Sequence, residues 1–241
     1  MPFNISNPYL LIFIGILVIE NLASYINNPG KLLMLVLTIP GILIAITFHE
    51  YAHAWAADKL GDDTPRRQGR LTLNPLAHID LFGAILMLTA GFGWGKPVEI
   101  NSFNFNRKVS MRKGNALVSL AGPLMNFILA LAFSIIYGLV LAFGKNTTTG
   151  QVIGNVLIQT IFMNVGLGVF NLIPLYPLDG YKILLFFLPK NARDWCESHE
   201  KILYIVFLII WITPISTIII SPAISAIDGA LLKLIIKIAG I

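Results

Sequence analysis

Apolar residues run in long blocks along this chain, separated by short polar loops. Blocks long enough to cross a bilayer, about 20 residues each, lie at 8–27, 32–57, 117–143, 152–173 and 202–221. The tail 223–240 is a sixth candidate. Pro222 parts it from the fifth block, and Lys233 and Lys237 lie in its second half. The pattern predicts an all-α polytopic membrane protein with about six transmembrane helices. Residues 81–93 are apolar but short and rich in glycine. They predict a re-entrant or interfacial element, tolerated where protein or a watery cavity covers its backbone. Before it, Arg70-Leu71-Thr72-Leu73-Asn74-Pro75 alternates and ends at a proline, the pattern of a short strand. A short membrane-associated β element is therefore expected between the second and third spans.

Composition points the same way. Hydrophobic residues make up 56% of the chain, charged residues 12%, and the mean hydropathy is +0.77. A soluble domain carries roughly 25% charge. No polar stretch is long enough to form a separate soluble domain. Residues 1–241 read as one transmembrane unit, with a motif-bearing core at about 32–185 and C-terminal helices over 186–241. The net charge of +5 is spread over loops, which argues against a nucleic-acid-binding tract. One cysteine, Cys196, excludes an intrachain disulfide. The N-terminus lacks the basic region of a cleaved signal peptide, so the first block is expected to be retained.

The basic residues orient the spans. Lys59, Arg66, Arg67, Arg70, Lys96, Arg107, Lys108, Arg112 and Lys113 fall in 58–116, and Lys182, Lys190, Arg193 and Lys201 in 174–201. Segments 28–31 and 144–151 hold only Lys31 and Lys145. The positive-inside rule assigns the rich segments to the cytoplasm. Six spans then leave both termini cytoplasmic.

Chemistry enters with His49-Glu50-Tyr51-Ala52-His53. Histidines at i and i+4 share one helix face and can hold one zinc ion, with the intervening glutamate as general base. His53 precedes Asp58, the first following charge, by five residues, or roughly 7–8 Å of helix. Asn126 lies about two turns into the third span from its cytoplasmic start, and Asp179 follows the fourth. Three polar sites far apart in sequence thus share one depth. A catalytic zinc site takes three protein ligands and leaves one position for water. His78, Asp80, Asp179 and His199 are candidates for the third. Asp179 lies where Pro174, Pro177 and Gly180 break the helix, so an unwound backbone could aim its carboxylate inward; it could equally N-cap the helix that follows. Asn126 could stabilise an oxyanion or simply bridge helices. Glu20 has no evident role.

Together these residues resemble the site-2 protease family of intramembrane zinc metalloproteases. The resemblance rests on the histidine motif, Gly69-Arg70-Leu71-Thr72-Leu73-Asn74-Pro75 with His78-Ile79-Asp80, Gly93-Trp94-Gly95-Lys96-Pro97-Val98, Ala121-Gly122-Pro123 with Asn126, and Asn171, Pro174, Pro177 and Leu178-Asp179-Gly180. It covers about residues 45–185. It implies one zinc ion held by His49, His53 and Asp179, with Glu50 activating water and Asn126 binding substrate or the oxyanion. It implies transmembrane protein substrates cut within the bilayer near the cytoplasmic side, in the cell membrane of a prokaryote. Neither an inserted peptide-binding (PDZ) domain nor a nucleotide-binding (CBS) pair is evident, so a minimal member is expected. Residues 66–73 are expected to supply an edge that holds the substrate extended. The rival reading is a polytopic metal-ion transporter using the same His/Asp cluster.

Overall fold

The computed structural model describes residues 23–81, 83–85, 95–144 and 146–241, together with Gly15 and Ile19. The block expected at 8–27 lies largely outside the described residues. Of 81–93 only 81 and 83–85 are described, and they are helical. Among the described residues, four helices are long and apolar enough to span a membrane: α1 (Pro29–Lys59), α3 (Met111–Gly144), α4 (Thr148–Asn171) and α8 (Ile215–Ala239). Shorter helices lie between them: α2 (Thr64–Arg67), α5 (Asp179–Phe187), α6 (Lys190–Ser198) and α7 (Glu200–Ile212).

The bundle is held by small residues. Along α3 the buried positions Gly114, Val118, Gly122, Asn126, Ala130, Ser134 and Gly138 recur every fourth residue. That spacing forms one stripe on a helix, and small side chains let neighbouring backbones approach closely in lipid. Buried Gly150, Gly154, Ile161, Asn164 and Gly168 form the facing seam on α4, while α1 contributes Gly41, Ala45, His49, Ala52 and His53. Large apolar side chains of α3 point outward instead, among them Leu120, Leu124, Ile128, Leu131 and Ile135. This inside-out distribution suits a solvent of acyl chains. A cluster of Ala130, Ile161, Val165 and Ile235 joins α3, α4 and α8.

Local chemistry sets the ends of α1. Asn28 caps its first turn by accepting from Lys31 N–H, and Pro29 occupies a position whose N–H is unused. At the other end Gly61 turns the chain with φ +105°, a conformation costly for any residue with a Cβ. Asp62 then knots the loop. Fully buried, its carboxylate accepts from Thr64 N–H (3.1 Å), Thr64 Oγ1 (2.6 Å), Asn101 N–H (2.7 Å) and Asn104 Nδ2 (2.9 Å). This fastens 101–104 beneath the end of α1.

Two expectations from the sequence are corrected. The first is the β element. Residues 64–67 are helical, Gly69 turns with φ +69°, and 70–74 form an irregular loop. Arg70 donates to Ala77 O and Lys96 O, which draws this segment inward and prevents it from lying extended as an edge. Among the described residues, β pairing is limited to a single antiparallel bridge between Ile79 and Gly95.

The second is the division of the last third. The helix breaks at Thr213–Pro214, and Pro222 lies inside α8. Thr213 is extended, as a residue before proline prefers. Its hydroxyl donates to Ile210 O, and its own carbonyl accepts from Ser216 N–H, which seals the break. What remains of the predicted fifth span is α7, 13 residues or roughly 20 Å, short of a hydrocarbon core of about 30 Å. Ser216, Ile219 and Ile220 line a small apolar cavity with Phe170, Ile173 and Leu175, at the end of α4. Ile235 and Ile238 press on Gly138, near the end of α3. α8 therefore runs parallel to α3 and ends opposite Lys59, where the six-span parity returned it to the same side.

Asp62→Ala leaves several donors without an acceptor, a cost of about 1–3 kcal/mol, and is expected to speed amide exchange across 101–104. Burial alone would raise the Asp62 carboxyl, but the donors of Thr64, Asn104 and Asn101 outweigh it and hold it below the ordinary carboxylate range. Its stabilisation should be complete above the unfolded value of about 3.9 and fade as pH falls through the lower folded value. Exchange followed against pH reads this directly. For topology, Ser102→Cys and Ala239→Cys in a Cys196→Ser background should react with an impermeant maleimide from opposite membrane faces.

Candidate metal centre

His49 and His53 lie one turn apart on α1, buried against α3. Their rings meet edge to face, 4.6 Å between centroids. His53 Nδ1 donates to Val118 O at 2.7 Å; a carbonyl only accepts, so this nitrogen carries the proton. His49 Nδ1 donates to Asn126 Oδ1 at 2.6 Å. Asn126 is oriented by its other bonds, since Nδ2 donates to Ala45 O (3.0 Å) and Asn164 Oδ1 (2.9 Å). Both histidines are thus left with a bare Nε2, and the two Nε2 atoms stand 3.0 Å apart.

The third group comes from the broken end of α4. Two short turns, Leu175 N–H to Ile173 O and Leu178 N–H to Leu175 O, carry the chain from α4 to α5. A Cβ on Gly180 would run into the carbonyl oxygens of Leu172 and Ile173, so the turn needs glycine there. Asp179 is the first helical residue of α5. Leu178 occupies the cap position without a side-chain bond, so the aspartate is no N-cap. Its Oδ2 lies 3.2 Å from His49 Nε2 and 3.1 Å from His53 Nε2.

Three acceptor atoms facing one another repel unless a cation lies among them. Tetrahedral zinc with bonds of about 2.0–2.1 Å has donor-to-donor edges of about 3.3 Å, close to the three separations observed. Acceptor oxygens on both Nδ1 atoms fix the tautomers that leave Nε2 for a metal. The residues present therefore fit a three-ligand zinc site with one corner left over. Among the described residues, His49, His53 and Asp179 form the one group with metal-ligand geometry.

Glu50 lies beside this group, half-buried, with Oε2 accepting from Val98 N–H at 3.0 Å. The strap 95–98 covers it: a Cβ on Gly95 would stand 3.7 Å from Glu50 Oε1. The other ligand candidates are engaged elsewhere. His78 is buried with Nε2 on Thr72 O, Asp80 accepts from Gly83 N–H, and His199 stacks on Trp195. Asn126, expected to bind substrate or the oxyanion, is fully buried, with both its amide hydrogens on Ala45 O and Asn164 Oδ1. Its carbonyl holds His49.

Comparison with known proteins supplies the remaining observation. Residues 37–213 match the model of peptidase family M50. The chain belongs to peptidase family M50. YwhC of Bacillus subtilis, named as a zinc metalloprotease, is 40% identical over 195 residues, covering 80% of this chain and 88% of its own. Rip2 of Mycolicibacterium smegmatis, named likewise, is 30% identical over 183 residues, 74% of this chain and 68% of its own. MJ0611 of Methanocaldococcus jannaschii, again so named, is 26% identical over 199 residues, 82% and 92% of the two chains. No solved structure matches.

The M50 site also uses residues that sequence reasoning left out. Val118 and Val98 act through backbone atoms and gave no side-chain signal. Asn164 did give one, as an amide within an apolar span. Gly122 entered the sequence reading only as part of the Ala121-Gly122-Pro123 motif. Its Cβ would lie against His53 Nε2, 2.6 Å from His53 Cε1 and 2.7 Å from His49 Cε1. Gly122→Ala in this M50 chain is therefore expected to weaken zinc binding by ~100-fold or more, at the top of the range for changes around a metal site. Gly166→Ala, whose methyl meets nothing within 4 Å, should keep it. Metal analysis of the two purified variants makes the comparison.

Proposed function

We propose that the protein is an intramembrane zinc metalloprotease that hydrolyses peptide bonds of transmembrane substrate proteins near the cytoplasmic face. The observation that carries this reading is the convergence of His49, His53 and Asp179 beside Glu50, at the polar end of membrane-spanning helices. The names of the M50 relatives support zinc as the metal. The basic loops 58–116 and 174–201 support a cytoplasmic position for this end of the bundle. The course of α8 then takes the C-terminus to the outer face.

A zinc ion held by His49, His53 and Asp179 would supply Lewis acidity to water and to the substrate carbonyl. Glu50 takes the proton of the attacking water and returns it to the leaving amine nitrogen. Val98 N–H engages Oε2, which leaves Oε1 as the basic atom. Asn126 and the Val118 carbonyl keep both imidazoles in the required tautomer. The substrate must expose its backbone, because a lipid-embedded helix hides every peptide group in its own hydrogen bonds. Segments weak in helix propensity are therefore the preferred cut sites.

Glu50→Gln should retain zinc and lose cleavage of membrane-helix substrates by ~10²–10⁴-fold, the range for an acid–base group. Purified protein in liposomes with a panel of such substrates gives the result. Equal cleavage by the variant would overturn the mechanism. Metal flux without cleavage would instead establish the transporter reading.

A further inference from the structure

Asn164 sits on α4, fully buried, and touches neither Glu50 nor any of the three converging ligand atoms. Its Nδ2 donates to Thr160 O, one turn earlier on the same helix, at 2.8 Å. A backbone carbonyl can only accept, so this bond fixes which way the Asn164 amide faces. Its Oδ1 is thereby presented to Asn126 Nδ2 at 2.9 Å. Asn126 in turn meets two acceptors, Asn164 Oδ1 and Ala45 O, on its amide side. Turned over, it would oppose oxygen to oxygen at both and present N–H to His49 Nδ1. His49 would then have to carry its proton on Nε2, where it would block a metal.

We propose that Asn164 is a positioning residue for the metal centre, setting the His49 tautomer through Asn126. The relay runs from Thr160 O through Asn164 and Asn126 to His49, across α4, α3 and α1. It starts at a backbone carbonyl, which cannot rotate away. All its members are buried, so water does not compete for the bonds. The site of its origin is also rigidly placed: a Cβ on Gly41 would stand 2.9 Å from Thr160 Cα, which records how tightly α1 and α4 approach at this level. This proposal rests on the zinc-site reading above.

The test is zinc affinity of the metal-depleted full-length protein, measured by competition with a chromogenic chelator. Asn164→Leu removes the acceptor and should weaken zinc binding by ~10-fold or more, within the range for residues that orient metal ligands. Asn164→Asp should restore affinity to near the wild-type value, because a neutral carboxyl can donate to Thr160 O and accept from Asn126. In an Asn126→Ala background, Asn164→Leu should cause no further loss, since its effect travels through Asn126. Should the leucine variant not fold, Asn164→Ser, whose hydroxyl is too short to reach Asn126, carries the same expected loss. Wild-type affinity in Asn164→Leu or Asn164→Ser overturns the relay, as do losses that multiply in the double variant. A folded wild type that takes up no zinc overturns the metal-centre reading and the relay with it.

Discussion

Two imidazole rings occupy space that a single methyl group on residue 122 would fill. Most of the structure can be traced back to that close approach between α1 and α3. It requires a helix surface with almost no side chains, and α3 supplies one through a stripe of small residues at every fourth position. The same stripe carries Asn126 to the level of His49 and presents Val118 O to His53. Packing and ligand orientation are therefore consequences of one repeat, not separate features. Pro123, next to the critical glycine, is tolerated because neighbouring groups in a bundle can satisfy the carbonyl it leaves free.

Placing histidines, asparagines and an aspartate in an apolar bundle is costly unless each finds a partner. Here the asparagines satisfy one another and nearby carbonyls in a closed chain, and the histidines donate outward. Around the centre, what remains unsatisfied is the three inward-facing acceptors, an electrostatic deficit that a dication removes. Such a site selects for charge and for ligand softness together, since imidazole and carboxylate suit zinc.

Much of this was legible from residues alone, for identifiable reasons. The periodicity of a helix fixes His49 and His53 on one face, and two prolines with a glycine mark the unwound turn that delivers Asp179. Hydropathy located α1, α3 and α4 because block length is a direct reading of bilayer thickness. It could not divide the last third, since apolarity says nothing about direction, and Pro214 and Pro222 look alike in sequence. Only the extended Thr213 and its two hydrogen bonds distinguish them. The alternation in Arg70–Pro75 misled because a guanidinium bonded to two distant carbonyls overrides a strand's local preference. Asn126 was found, but its partners were not. Which way an amide points is settled by the helices opposite it, here by Asn164 and Ala45.

The order of elements has a consequence for biosynthesis. The histidines, Glu50, Asn126, Asn164 and Asp179 all precede α7 and α8 in the chain. A ribosome therefore delivers every group that faces the centre before α8 exists. What α8 adds is Ile235, packed on Ala130, Ile161 and Val165, away from the ligands. Entering the membrane after them, α8 thus acts on the nascent protein as a brace for a bundle whose chemistry has already been written.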